Sequence, residues 1–271
     1  MTEKKLGFIG VGNMGGAIVK ALLNSKVVLP ENIWCSSRTS GKVKKIQEDF
    51  PIHAAATNEE LVENSDIIFM GVKPQDFFSV LEPLSSLIAQ EKIVVSMAAG
   101  IPISDIKKVL QNHPRVVRIM PNTPIEVCKA VVGYCPDKQD AGTDAAMTSI
   151  LQPLGYVVQV SEGDQFQALT VACGSGTGFV FELLQYWQEW LEGYGFDKDV
   201  ARNMAVQTFL GAAHLAERQE QHPLDLLQSR VVSKKGVTHA GLESMRELEI
   251  ERALRISFEK AVLRDSELGR K

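Results

Sequence analysis

Apolar and polar positions along these 271 residues follow two different textures, and the change between them divides the chain. In the first part short apolar runs recur: Leu6-Gly7-Phe8-Ile9, Asn32-Ile33-Trp34-Cys35, Ile67-Ile68-Phe69-Met70, Ile93-Val94-Val95-Ser96, Val116-Val117-Arg118-Ile119 and Tyr156-Val157-Val158-Gln159-Val160. Brief continuous runs of this kind, bounded by turn residues, are the mark of strands buried on both faces. Between them apolar residues recur at helical spacing, as at Ile18, Leu22 and Leu23, and further helices are expected from near Lys42, from Ser104 or Asp105, and around Ala145 to Leu151. Strand and helix in alternation predict an α/β fold, a doubly wound parallel sheet covered by helices on both faces.

From Ser161 the strand-like runs largely stop. Asp164 to Tyr194 reads as one long apolar helix interrupted by Cys173-Gly174-Ser175-Gly176-Thr177-Gly178. Each of those glycines costs a helix about 1 kcal/mol relative to alanine, so close packing of a helix or a ligand is expected there. A second helix runs from near Asp197 to about Arg218, ending before His222-Pro223. A third runs from Gly241 or Leu242 to about Leu263, with Leu242, Met245, Leu248, Phe258 and Val262 among its apolar positions and the pair Glu251 and Arg255 one turn apart. The division expected is therefore residues 1–160 as an α/β domain and 161–271 as an all-helical one. The helices are apolar enough to bury against each other and against a second subunit.

Composition narrows the range of partners. The chain is 45% hydrophobic and 23% charged, with a net charge of -4, so there is no electrostatic reason to expect nucleic acid or an anionic membrane surface. No apolar run approaches a membrane span, and Met1-Thr2-Glu3-Lys4-Lys5 leads directly into the first strand without an apolar leader, so a cytoplasmic protein is expected. Cys35, Cys128, Cys135 and Cys173 form no CxxC pair and are expected as reduced thiols; His53, His113, His214, His222 and His239 lack metal-site spacing, so no metal is expected. A small molecule is the partner that fits.

The chemistry starts at Gly10-Val11-Gly12-Asn13-Met14-Gly15, between the first strand and the first helix. A glycine turn there presents free backbone N–H groups, those of Asn13 and Met14 included, to a pyrophosphate. Gly10 permits the turn, Gly12 the approach of phosphate, and Gly15 the packing of helix on strand. At the end of the second strand stand Ser36, Ser37 and Arg38, with no acid. A carboxylate there would bind the ribose 2′-hydroxyl of NAD, whereas arginine and small hydroxyls suit the 2′-phosphate of NADP. The same residues also make a polar turn able to cap the next helix. NADPH is the expected cofactor, with NADH weaker. Val72-Lys73-Pro74 falls at the carboxyl end of a strand facing the same crevice, and Ala98 and Asn122, each following a further strand, are also expected to contact the cofactor.

Arg230 to Gly241 contains Ser233-Lys234-Lys235-Gly236-Val237-Thr238. A turn at a helix start, with two hydroxyls and free N–H groups, can receive a carboxylate. The alternative is that Thr238 caps the helix while the lysines are solvated.

Phe8-Ile9-Gly10-Val11-Gly12-Asn13-Met14, Gly71-Val72-Lys73-Pro74-Gln75, Ser96-Met97-Ala98-Ala99-Gly100-Ile101, Arg118-Ile119-Met120-Pro121-Asn122-Thr123-Pro124 and Arg264-Asp265-Ser266-Glu267-Leu268 together resemble pyrroline-5-carboxylate reductases, in that family's order and over nearly the whole chain. The resemblance implies an NADP-binding Rossmann domain followed by a helical dimerisation domain. It also implies reduction of the cyclic imine 1-pyrroline-5-carboxylate to L-proline, with Thr238 on the ring nitrogen, Ser233, Gly236 and Val237 on the carboxylate, and Asn122 at the nicotinamide amide. Two segments depart from the family. Its Gly-Ser-Gly-Pro-Ala-Tyr stands as Gly174-Ser175-Gly176-Thr177-Gly178-Phe179, and its Ser-Pro-Gly-Gly-Thr-Thr as Ser233-Lys234-Lys235-Gly236-Val237-Thr238. These changes leave open a related cyclic imino acid as substrate, or a nucleotide-binding paralogue without catalysis.

Overall fold

In the computed structural model, residues 2–268 are described. Eight strands form one sheet: β1 Leu6–Ile9, β2 Ile33–Ser36, β3 His53–Ala54, β4 Ile67–Met70, β5 Ile93–Ser96, β6 Val116–Met120, β7 Ala130–Pro136 and β8 Gly155–Gln159, in the order β3-β2-β1-β4-β5-β6-β7-β8. The chain reverses direction of winding between β1 and β4, the point at which sheets of this kind bind ligands beyond their strand ends. Helices α1 Asn13–Asn24, α2 Ser40–Gln47, α3 Asn58–Glu63, α4 Phe77–Leu81, α5 Ile103–Val109 and α6 Ala141–Leu151 connect the strands. One core, built around the stacked rings of Phe8 and Phe69 with Ile18, Leu22 and Val95, lies on one face. The other face buries Ile9, Ile68, Met70, Val94 and Phe77.

The strand pattern anticipates most of this sheet but misses two strands. β3 is only two residues long and exposed, so it carries no apolar signal. β7 runs antiparallel to β6, making the sheet mixed, and parallel to β8. It was hidden by Gly133 and Pro136; Gly133 is there because the Leu169 side chain packs onto it, leaving no space for a Cβ.

Beyond β8 the single helix expected from 164 to 194 divides into α7 Asp164–Leu169, a π-helical turn Thr170–Gly174, and α8 Gly176–Gly193. Gly174 lies against Met120, where a Cβ would come within 3.3 Å of Cγ, while Gly176 and Gly178 have no neighbour within 4 Å of a Cβ. The remaining helices are α9 Lys198–Arg218, α10 Leu224–Arg230, α11 Val237–Glu247 and α12 Ile250–Leu268. The single third helix expected from 241 to 263 is thus two, broken at Glu249, whose φ of 50° turns the chain out of the helix. Apolar spacing continues across the break, which is why the pattern alone did not reveal it.

The chain forms two compact units, one holding it up to Thr177 and again from Ala261, the other being Gly178–Lys260. Against the 160/161 division read from the sequence, α7 stays with the sheet because Phe166 and Leu169 are buried in its core. Within the second unit Trp187 meets Phe209 edge-on at 5.1 Å and Phe179 lies 5.4 Å from Phe258. Many of its other large apolar side chains stay exposed, among them Phe181, Trp190, Leu215 and Leu248.

Candidate active site

Beyond the carboxyl ends of β1, β2 and β4 lies a cleft of about 600 Å³ that gathers Gly10, Gly12, Ser36, Arg38, Val72 and Lys73. Its shape is decided by glycines. Gly10 has φ +91°, and a side chain there would run into the backbone of Gly71 at 2.9 Å; Gly15 comes so close to the carbonyl of Gly10 that a Cβ would stand 2.6 Å from it. Gly12 differs: among the described residues nothing lies within 4 Å of where a Cβ would be. It caps α1 without any side-chain hydrogen bond, so the first turn's N–H groups, where Asn13 and Met14 stand, are not closed by a capping side chain. Space that packing does not use, at the positive end of a twelve-residue helix, fits a pyrophosphate group.

At the end of β2 the buried hydroxyl of Ser36 donates to Asn58 Oδ1 at 2.7 Å, so it orders Asn58. Arg38, Thr39 and Lys42 line the cleft beyond it, Arg38 and Lys42 exposed and bearing positive charge. Thr39 is the residue before α2 and makes no capping bond with its side chain. Ser37, Arg38, Thr39 and Lys42 thus border the cleft with hydroxyls and positive charge, a chemistry able to receive a phosphate monoester.

Sequence reasoning overlooked the wall formed by Thr57, Asn58, Asp76 and Ser79. A signal was present in Thr57-Asn58-Glu59-Glu60, which acts as a cap: Thr57 accepts from the N–H of Glu60 at 3.2 Å, and the Glu60 carboxylate accepts from the N–H of Ala56 at 2.6 Å.

Other expected cofactor positions lie elsewhere around the strand ends. Pro74 opens a short 3-10 turn after Lys73. Ala98 is buried, its N–H donating to Ser96 Oγ at 3.3 Å. Asn122 is only 7% exposed, and its amide is engaged within the protein: Nδ2 donates to the carbonyl of Cys173 at 3.1 Å and Oδ1 accepts from the N–H of Val131 at 2.9 Å. The side chain thus ties the end of β6 to β7 and to the π-helical turn.

Ser233, Gly236, Val237 and Thr238 occur in the second unit. Gly236 N–H donates to the Ser233 carbonyl at 2.9 Å, closing a turn in which Lys235 has φ 59°. The Ser233 hydroxyl sits directly against Gly236, in space a Cβ would need. Gly236 is the residue that caps α11, without a side-chain bond, and Thr238 is already inside the helix. The capping role considered for Thr238 therefore falls to the Gly236 backbone, leaving the exposed Thr238 hydroxyl and the first N–H groups of an eleven-residue helix for a ligand.

Among the described residues no group of three His, Cys, Asp or Glu side chains is arranged to hold a metal, the four cysteines are free thiols, and no helix is long and apolar enough to cross a membrane. A glycine-lined cleft at the switch point of a doubly wound sheet, with arginine where the second strand ends, defines a dinucleotide-dependent oxidoreductase of Rossmann type. Residues 5–100 match the family described as NADP oxidoreductase coenzyme F420-dependent, and residues 163–268 that of pyrroline-5-carboxylate reductase dimerisation. The chain belongs to the pyrroline-5-carboxylate reductase family. It is 36% identical to the pyrroline-5-carboxylate reductase of Methanosarcina acetivorans, covering 100% of both chains. Among solved structures, a pyrroline-5-carboxylate reductase from Coxiella burnetii superposes with a TM-score of 0.91 at 29% identity, covering 98% of this chain and 99% of that one. The Plasmodium falciparum enzyme, solved with NADP bound, has the same fold, with a TM-score of 0.88 at 24% identity over 99% of each chain.

Proposed function

We propose that this protein is an NADPH-dependent reductase of the C=N bond of 1-pyrroline-5-carboxylate, giving L-proline in the last step of proline biosynthesis. The observation that carries the reading is the cleft itself: open space at Gly12, and Arg38 with hydroxyls where an acid would mark NAD. Gly10, Gly12, Asn13 and Met14 take the pyrophosphate on backbone N–H groups, and Arg38 the 2′-phosphate. When bound, NADPH supplies the hydride. Val72, Lys73, Pro74 and Ala98 border its path, while Asn122, internally bonded, acts by shaping the strand ends.

Ser233, Gly236 and Val237 hold the substrate carboxylate at the start of α11, and Thr238 shares a hydrogen bond with the ring nitrogen as its charge changes. No strong base is needed, because orientation and a matched hydrogen bond supply much of the acceleration.

The working form is a homodimer, or a larger assembly built from dimers, formed through the helical region. Exposed Phe181, Trp187, Trp190 and Leu263 are more apolar surface than a monomer keeps without use. Among the described residues nothing lies within 4 Å of a Cβ placed at Gly176 or Gly178, and both suit the close approach of another chain. Four unpaired thiols accord with a reducing compartment, the cytoplasm.

Lys234 and Lys235 in the substrate turn favour examining a second substrate, a six-membered cyclic imino acid. NADPH oxidation by the purified protein with each imine tests both: faster turnover of the five-membered ring upholds the reading and faster turnover of the six-membered ring replaces its substrate. Binding of NADPH without turnover of either would make the chain a non-catalytic paralogue.

A further inference from the structure

The motif Arg118-Ile119-Met120 and the tail motif around Asp265 meet in the first unit, and neither is used by the chemistry above. Arg118 stands on the face of β6 that also carries Val116 and Met120, in an otherwise apolar core, and is only 6% exposed. Its guanidinium lies 3.9 Å from the centre of the Phe166 ring. Nη1 donates to Glu162 Oε1 at 2.7 Å, Nη2 makes a longer bond of 3.4 Å to the Ala98 carbonyl, and Nε is buried without a partner. Glu162 in turn accepts from the N–H of Ile103 at 3.0 Å, closing the first turn of α5. Asp265, from the end of α12 and 9% exposed, adds a second carboxylate beside the same charge.

Stability does not account for this arrangement. A buried ion pair is commonly no better than apolar residues of equal volume, and an orphaned Nε adds a desolvation cost. What the arginine does that an apolar residue would not is connect. It joins β6 to the turn Met97-Ala98-Ala99-Gly100 beyond β5 and, through Glu162, to the start of α5.

We propose that Arg118 is a positioning residue for hydride transfer, holding the turn Met97–Gly100 through the Ala98 carbonyl while Glu162 holds the guanidinium. The proposal rests on the reading that this turn borders the nicotinamide end of the cofactor. Arg38, after β2, is separated from Arg118 on β6 by the three strands β1, β4 and β5.

Arg118→Met keeps the length and apolar packing of the side chain and removes its bonds; Arg118→Lys keeps the charge and loses the fork. Melting temperature, affinity for adenosine 2′,5′-bisphosphate, KM for NADPH, turnover number and the isotope effect with NADPH deuterated at the transferred position are measured on each. The expected result for Arg118→Met is a turnover number at least tenfold lower and a larger isotope effect, with bisphosphate affinity and the KM for NADPH within twofold of the parent. Arg118→Lys recovers part of the turnover. Gly100→Ala, which strains the turn directly because Gly100 has φ +72°, serves as the comparison. Turnover lowered by Gly100→Ala but unchanged in Arg118→Met overturns the role of Arg118 while leaving the turn at the nicotinamide. Turnover unchanged in both removes the turn from the site and the proposal with it. Bisphosphate affinity falling in step with turnover in Arg118→Met would make the arginine a structural brace and likewise overturn the proposal.

Discussion

At the scale of residues, chemistry here depends on what each side chain is left free to do. Arg38 is exposed and unencumbered at the cleft, whereas the neighbouring Ser36 hydroxyl is committed to Asn58. Replacing Arg38 with alanine should therefore raise the KM for NADPH at least tenfold and change that for NADH little, since only the former carries a 2′-phosphate; steady-state kinetics with both cofactors checks this. The same logic separates two roles for Thr238. Because Gly236 caps α11, the threonine hydroxyl has no structural task there, and its loss should leave the melting temperature nearly unchanged. Thr238→Ala should lower turnover by roughly tenfold or more, the loss of about 1.4 kcal/mol from the transition state, and Thr238→Ser should recover much of it. An unaltered turnover per folded molecule would remove Thr238 from the reaction.

Among elements, the end of α5 shows how a helix is stopped without a glycine. Gln111 and Asn112 both take positive φ, 50° and 63°, and the chain then brings His113 into the core, where its ring nitrogen lies 2.8 Å from the Lys92 carbonyl at the start of β5. Burial holds the His113 imidazole below its usual pKa, outweighing the bond to Lys92, which acts the other way. The unfolded chain binds a proton near the ordinary value of about 6.5, and the folded chain only at lower pH. Stability from this group is thus complete above that value and falls as pH drops toward the folded pKa, because there the unfolded state holds more protons. Urea midpoints measured from pH 7.5 to 5 should decline more steeply for the parent than for His113→Asn. Parallel curves would show that other groups dominate this range.

For the whole molecule the decisive feature is apolar surface on the second unit that its own helices do not cover. Phe181→Asp combined with Trp190→Glu should convert the assembly to monomer in sedimentation and lower turnover at least tenfold. Adenosine bisphosphate binding should persist, because the cleft is built wholly from the first unit. An active monomer would contradict assembly through this surface.

How much of this could be read in advance follows from the range of each interaction. Apolar runs and the glycine turn are local, so β1, β2, β4, β5, β6 and β8, the start of α1 and the cofactor class were legible in the chain by itself. Arg38 at the end of β2 was legible too, because the absence of an acid there is a local fact. What tertiary structure decided was everything settled by distant partners. The space at Gly133 is taken by Leu169, a distant residue, so β7 and its antiparallel pairing left no local pattern. Asn122 looked like a ligand for the nicotinamide until Cys173 and Val131 were found to use its amide. Arg118 gave no sign within its strand run of the partners Glu162 and Phe166 that the fold brings to it. Sequence patterns record which face of an element avoids water, a property of neighbours a few residues apart. Which buried polar group meets which depends on where the chain returns, and only the folded protein specifies that.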